Sequence, residues 1–206
     1  MGRISCTTLT LLVLASSGFT PPVAAAQPAR PRVTISVYNY AYVSTELLQA
    51  AEDEALRIFQ QAGVQTFWVN CLPRPEKVES NGCHFADATH LMLKILPHAI
   101  SPQVRDRTNV LGDAFVDEKG VGYYAYAFYD RVQRVAEEQR LSRILLGDVL
   151  AHEIGHLLLG SKSHSVSGIM SAHWNGEELR KISEGTMFFS PSQSSLMRDR
   201  VRRSPN

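Results

Sequence analysis

Two histidines four residues apart, with a glutamate directly after the first, make up the segment His152-Glu153-Ile154-Gly155-His156. On a helix, side chains four apart share one face, with Cβ atoms about 5–6 Å apart. Both imidazoles can then reach one Zn2+ at roughly 2.0–2.1 Å. Glu153, one residue on, turns away from the metal but can reach a water beside it. A metal flanked by a carboxylate general base is the equipment of metal-assisted hydrolysis.

Such a site needs a third ligand, and His164 follows at short range. Were the helix to run on through His164, that residue would lie about 18 Å along the axis from His152, too far to share an ion. The chain must therefore turn back. Gly160 is the residue that permits it, because a left-handed αL conformation costs glycine little. Ser161-Lys162-Ser163 would then return His164 towards the metal. His173 and the later carboxylates Glu177, Glu178 and Glu184 are the rival third ligands. His84, His90 and His98 lie far upstream and read as structural or exposed residues. Asp113, Asp117 and Glu118, near a glycine turn, read as solvated charges.

The elements that must hold these side chains can be read in outline. VTISVYNY (Val33 to Tyr40) is β-branched and aromatic and reads as a strand. Ser44 is a plausible N-cap for the following helix, in which Leu47, Leu48, Ala51, Ala55, Ile58 and Phe59 recur at helical spacing up to Gly63. VQTFWVN and the nearly continuous apolar run THLMLKILP are further strands, the second suited to burial on both faces. NVLGDAFV reads as a strand, and EKGV turns the chain into the aromatic stretch GYYAYAFYDRVQ. Its aromatic stripe reads as sheet packing, and Tyr123 to Tyr129 could present an edge to an extended peptide. A charged stretch then leads to the helix of the histidines, closed by Gly160. SAHWNGEELRKISEGT reads as irregular, and Ser190-Pro191 opens a final helix.

With 206 residues, 44% hydrophobic and 20% charged, the chain can build one domain with a real core. Its formal charge of +1 gives no footprint for nucleic acid or a membrane surface, and it reads as a monomer. Residues 1–26 read as a secretory signal peptide: Arg3, a short apolar stretch near Leu9 to Leu14, and an A-x-A cleavage site at Ala24 to Ala26. That stretch is too short and too broken to span a bilayer. The mature domain, 27–206, would be secreted or periplasmic and end in a short basic tail. It keeps two cysteines, Cys71 and Cys83, flanking a polar loop. An oxidising compartment favours their disulfide; the alternatives are free thiols, or soft ligands alongside His84.

HEIGHLLLGSKSH followed by SGIM resembles the metzincin zinc peptidases, whose pattern is H-E-x-x-H-x-x-G-x-x-H with a later Met-turn. The order β-α-β, further strands, zinc helix, Met-turn and C-terminal helix is also similar to that family's catalytic domain. The resemblance covers most of Val33 to Arg203, although only Leu150 to Met170 carries the motif. It implies an α+β zincin domain: a mixed twisted sheet with an N-terminal helix, a buried zinc-binding helix and a C-terminal helix. It implies His152, His156 and His164 as zinc ligands, Glu153 as general base, Gly160 as the turn and Met170 as the methionine beneath the metal. The activity implied is zinc-dependent endopeptidase cleavage of a peptide or protein substrate. Against the pattern, Gly160 comes one residue late and His164 two, and no Tyr stands just after Met170. Two further readings stay open: a zinc-stabilised, non-catalytic binding protein, and a zinc hydrolase acting on a cell-wall amide.

Overall fold

The computed structural model describes residues 30–71, 83, 89–100, 107, 109–139, 141, 144–160 and 162–204. Residues 1–26, read above as a signal peptide, together with His84 and most of the loop between the cysteines, lie outside these residues. Strand β1 (Arg32–Asn39) is followed by helix α1 (Thr45–Gln61) and strand β2 (Gln65–Cys71). Strands β3 (His90–Leu96), β4 (Gly112–Val116) and β5 (Gly122–Phe128) come next. Four helices complete the order: α2 (Tyr129–Gln139), α3 (Leu145–Leu159), α4 (Gly176–Ser183) and α5 (Pro191–Arg203).

The strands form one mixed sheet in the order β2-β1-β3-β5-β4, in which only β4 pairs antiparallel. This is the mixed sheet with N-terminal, buried and C-terminal helices that the sequence implies. The alternation of β1 puts Val33, Ile35 and Val37 into the core cluster that also holds Ala51, Ala55 and Ile58 of α1 and Leu146, Leu150 and Ile154 of α3. Helix α3 packs against α1, the β3–β5–β4 side of the sheet, α2 and α5. It is thus enclosed by elements from both halves of the chain, which fixes its position before any ligand is considered.

Several local expectations hold for the stated reasons. The Ser44 side chain accepts from Leu47 N–H at the start of α1, and Ser190 and Gln193 close a capping box on α5. Cys71 and Cys83 form a disulfide, which by the loop-entropy estimate contributes about 3 kcal/mol. His90 is structural: it is buried, with Nε2 2.6 Å from Ser36 Oγ. His98 is exposed.

Other expectations fail. The aromatic stretch does not supply a sheet edge, because β5 lies between β3 and β4; the edge strands are β2 and β4. The strand stops at Phe128 and the chain turns at once into α2, whose Val132 and Ala136 face the core. The segment after Met170 is not irregular throughout, since Asn175 caps α4 by accepting from Glu177 N–H. Asp113 is no solvated charge: it is partly buried, and burial raises its carboxyl above the usual range. Asp117 and Glu118 are exposed as expected, and Asp117 also organises the β4–β5 turn by accepting from Lys119 N–H and Val121 N–H.

Candidate metal centre

Helix α3 is almost entirely buried, and its His152 and His156 are the partly exposed positions that open onto a cleft of about 620 Å3. The helix stops at Gly160, whose N–H donates to His156 O at 2.9 Å. Gly160 has φ 90 and ψ −171, a region open essentially to glycine, and not the αL turn expected. A side chain there would be strained by that φ and crowded as well, since an added Cβ would fall 3.2 Å from Gly120 O. The chain reverses and brings His164 back, with its ring centroid 5.5 Å from that of His152 and 4.6 Å from that of His156.

Candidate ligand atoms of His152, His156 and His164 all lie within 4.8 Å of one another. The Nε2 atoms of His152 and His156 are 3.0 Å apart. Two nitrogens bound tetrahedrally to one zinc stand about 3.3 Å apart, so small side-chain adjustments would seat an ion. The other ring nitrogens are anchored. His152 Nδ1 is 2.6 Å from Ile169 O, to which it can only donate, which leaves Nε2 bare. His156 Nδ1 is 2.7 Å from Ser163 Oγ. Held outer nitrogens of this kind are the usual support of metal-binding histidines.

Burial also sets the charge. It pushes His152 down to about 4, against the opposing effect of its bond to Ile169 O. It pushes His156 down to about 3, reinforced by the neighbouring His152 and His164. His164 is lowered too, by burial and then by His173 nearby. Neutral imidazoles are the ligating form, so three neutral nitrogen donors converge at neutral pH.

The rival ligands do not join this cluster. Glu177 pairs with Lys181 and Glu184 with Arg180, while Glu178 is buried. His173 lines the same cleft, outside the group of three.

Glu153 is 5% exposed and lines the cleft beside the histidines. Burial, followed by the proximity of Asp113, pushes its carboxyl well above the usual range. Gly112 on the edge strand makes room for it: an added Cβ would fall 2.6 Å from Glu153 Cγ and Cδ. Met170 is fully buried against the helix, where a Cβ on Gly155 would fall 2.6 Å from its Sδ. The Trp174 ring stands edge-on to His152, with centroids 5.7 Å apart. The sequence alone assigns no role to Gly112, Gly155 or Trp174, and gives Ser163 only a place in the returning loop. The glycine inside the HEIGH segment was the one visible hint of close packing.

No protein-family model matches the chain, and no curated protein matches it. Solved structures do. The chain has the fold of two zinc peptidases. One is a zinc-dependent peptidase from Methanocorpusculum labreanum, with TM-score 0.53 and 16% identity, covering 79% of this chain and 99% of that one. The other is metalloproteinase-II from Bacteroides fragilis, with TM-score 0.52 and 10% identity, covering 85% of this chain. This chain spans 55% of the length of the Bacteroides protein. At these identities the likeness concerns the fold.

Proposed function

We propose that the protein is a metzincin-type zinc endopeptidase, exported after removal of residues 1–26. The observation that carries this reading is the convergence of His152, His156 and His164 beside Glu153 in a cleft bordered by an open sheet edge. The fold shared with two peptidases supports it. No helix among the described residues is long and apolar enough to cross a membrane, and the disulfide suits an oxidising compartment.

His152, His156 and His164 would hold the zinc through ring nitrogens, with Met170 packed beneath the helix that carries two of them. When bound, zinc polarises the scissile carbonyl, acidifies the attacking water and favours ionised Glu153. A peptide would lie extended along β4, adding its backbone to the free edge next to the cleft. Glu153 would take the proton of the attacking water and hand it to the leaving amine nitrogen. Gly112 and Asp113 lie beside this carboxylate and shape where it stands.

The test is to incubate the mature, zinc-loaded protein with a denatured protein and map the cleavage sites by mass spectrometry. Internal cuts that vanish in Glu153→Ala, while zinc is retained, support the proposal. Equal zinc without cleavage by the wild-type protein would overturn it in favour of a non-catalytic zinc protein. Release of peptidoglycan crosslinks in place of protein cleavage would redirect it to a cell-wall amide.

A further inference from the structure

The loop that returns His164 carries three residues after Gly160, where the metzincin pattern has two. That extra length has a structural use. Lys162 takes a left-handed φ of 62, and the next side chain, Ser163, points back to the zinc helix with Oγ 2.7 Å from His156 Nδ1. The backbone of Ser163 is held in turn from the C-terminal helix, because Gln193 Nε2 donates to Ser163 O at 3.4 Å. Gln193 is itself fixed: it is 9% exposed, and its Oε1 accepts from Ser190 N–H at 2.9 Å in the capping box.

We propose that Ser163 is the positioning residue for His156, and that α5 sets its place through Gln193. The inference rests on the zinc reading of the three histidines and adds to it. His152 is oriented by a backbone carbonyl, Ile169 O, which no side-chain substitution removes. His156 has a side-chain hydroxyl in the corresponding role. For Nε2 of His156 to face a metal bare, Nδ1 must carry the hydrogen, and Ser163 Oγ accepts it. The same hydroxyl lies next in sequence to His164, so one residue sets the orientation of the second ligand and the approach of the third. One of the two residues by which His164 is late is thereby explained: the residue added after Gly160 makes the span on which Ser163 can fold inward.

The test compares the mature wild-type protein with Ser163→Ala, Ser163→Thr and Gln193→Glu. Zinc affinity is read by competition with a chromophoric chelator, and coordination geometry by the visible absorption of the Co2+-substituted protein. Ser163→Ala should weaken zinc binding on the order of 10-fold to 100-fold and change the cobalt spectrum. Ser163→Thr, which keeps the hydroxyl, should restore both. Gln193→Glu keeps an acceptor for Ser190 but loses the donor to Ser163 O, so it should weaken zinc in the same sense with α5 still capped. Zinc affinity and cobalt spectrum of Ser163→Ala matching those of a zinc-binding wild type would overturn the role of Ser163 and leave the metal site standing. A wild type that binds no zinc would overturn the site reading itself, and this inference with it.

Discussion

Gly112→Ala places a single methyl group directly against the Glu153 side chain. An added Cβ would fall 2.6 Å from Cγ and Cδ of Glu153, against about 3.5–4.0 Å for an ordinary carbon contact. The strand cannot yield easily, because β4 is held in register by β5. The Glu153 side chain is the freer partner, so it must withdraw by about 1 Å. A misplacement of this size near the reacting atoms costs about 100-fold in rate, which corresponds to about 2.7 kcal/mol of transition-state stabilisation. The histidines are carried by α3 and the loop after it, so zinc content should not change. Steady-state kinetics on a fluorogenic peptide found among the cleavage sites, with zinc per chain measured on the same samples, reads both quantities. The expected result is kcat/KM lowered about 100-fold at full zinc occupancy, mostly through kcat. Activity within a factor of about three of wild type, with zinc retained, would refute the placement of Glu153 as the base.

Two other perturbations probe the packing of the fold. Gly155→Ala would set a Cβ 2.6 Å from Met170 Sδ and 2.8 Å from Phe189 Cε1; overpacking of this kind costs about 1–3 kcal/mol. Thermal unfolding should show Tm lower by about 2–4 °C per kcal/mol for a chain of this size, and an unchanged Tm would mean that Met170 is free to move. Glu52 is 4% exposed with Oε1 unpaired, and burial pushes its carboxyl from 4.5 up to about 7 against the bond from Asn70. Because the folded value is raised, its contribution is fully present below pH 4.5 and is lost as pH rises through 7. The loss amounts to about 3 kcal/mol. Glu52→Gln should therefore resemble wild type in urea unfolding near pH 4.5 and gain on it by about that amount at pH 8; a difference independent of pH would disprove the burial argument.

Much of the fold was legible because periodicity and capping are local. The spacing of Leu48, Ala51, Ala55 and Ile58 marks α1, and Ser190-Pro191 marks the start of α5. Helices α2 and α4 were missed for a physical reason. Both are short and strongly charged, with few apolar residues, and α2 begins on the residue after an aromatic strand whose pattern masks its start. Their helical form depends on packing Val132, Ala136 and Ile182 onto a core that the local sequence does not display. The edge role of β4 was equally out of reach, because strand order depends on long-range pairing, which no local pattern encodes.

At the site, the sequence by itself determined the pairing of His152 with His156 and the flanking place of Glu153. Helical geometry relates residues four apart without help from the rest of the chain. It also required a turn at Gly160 for His164 to count as a ligand at all. Only the tertiary structure brings His164, and none of its rivals, into the cluster with His152 and His156, since that grouping depends on where the returning loop is held. Gly120 and Arg200 close in behind Gly160, Ile169 orients His152, and Ser163, held by Gln193, orients His156. These contacts join residues far apart in the chain, and their geometry exists only once α3 is enclosed by the sheet and α5.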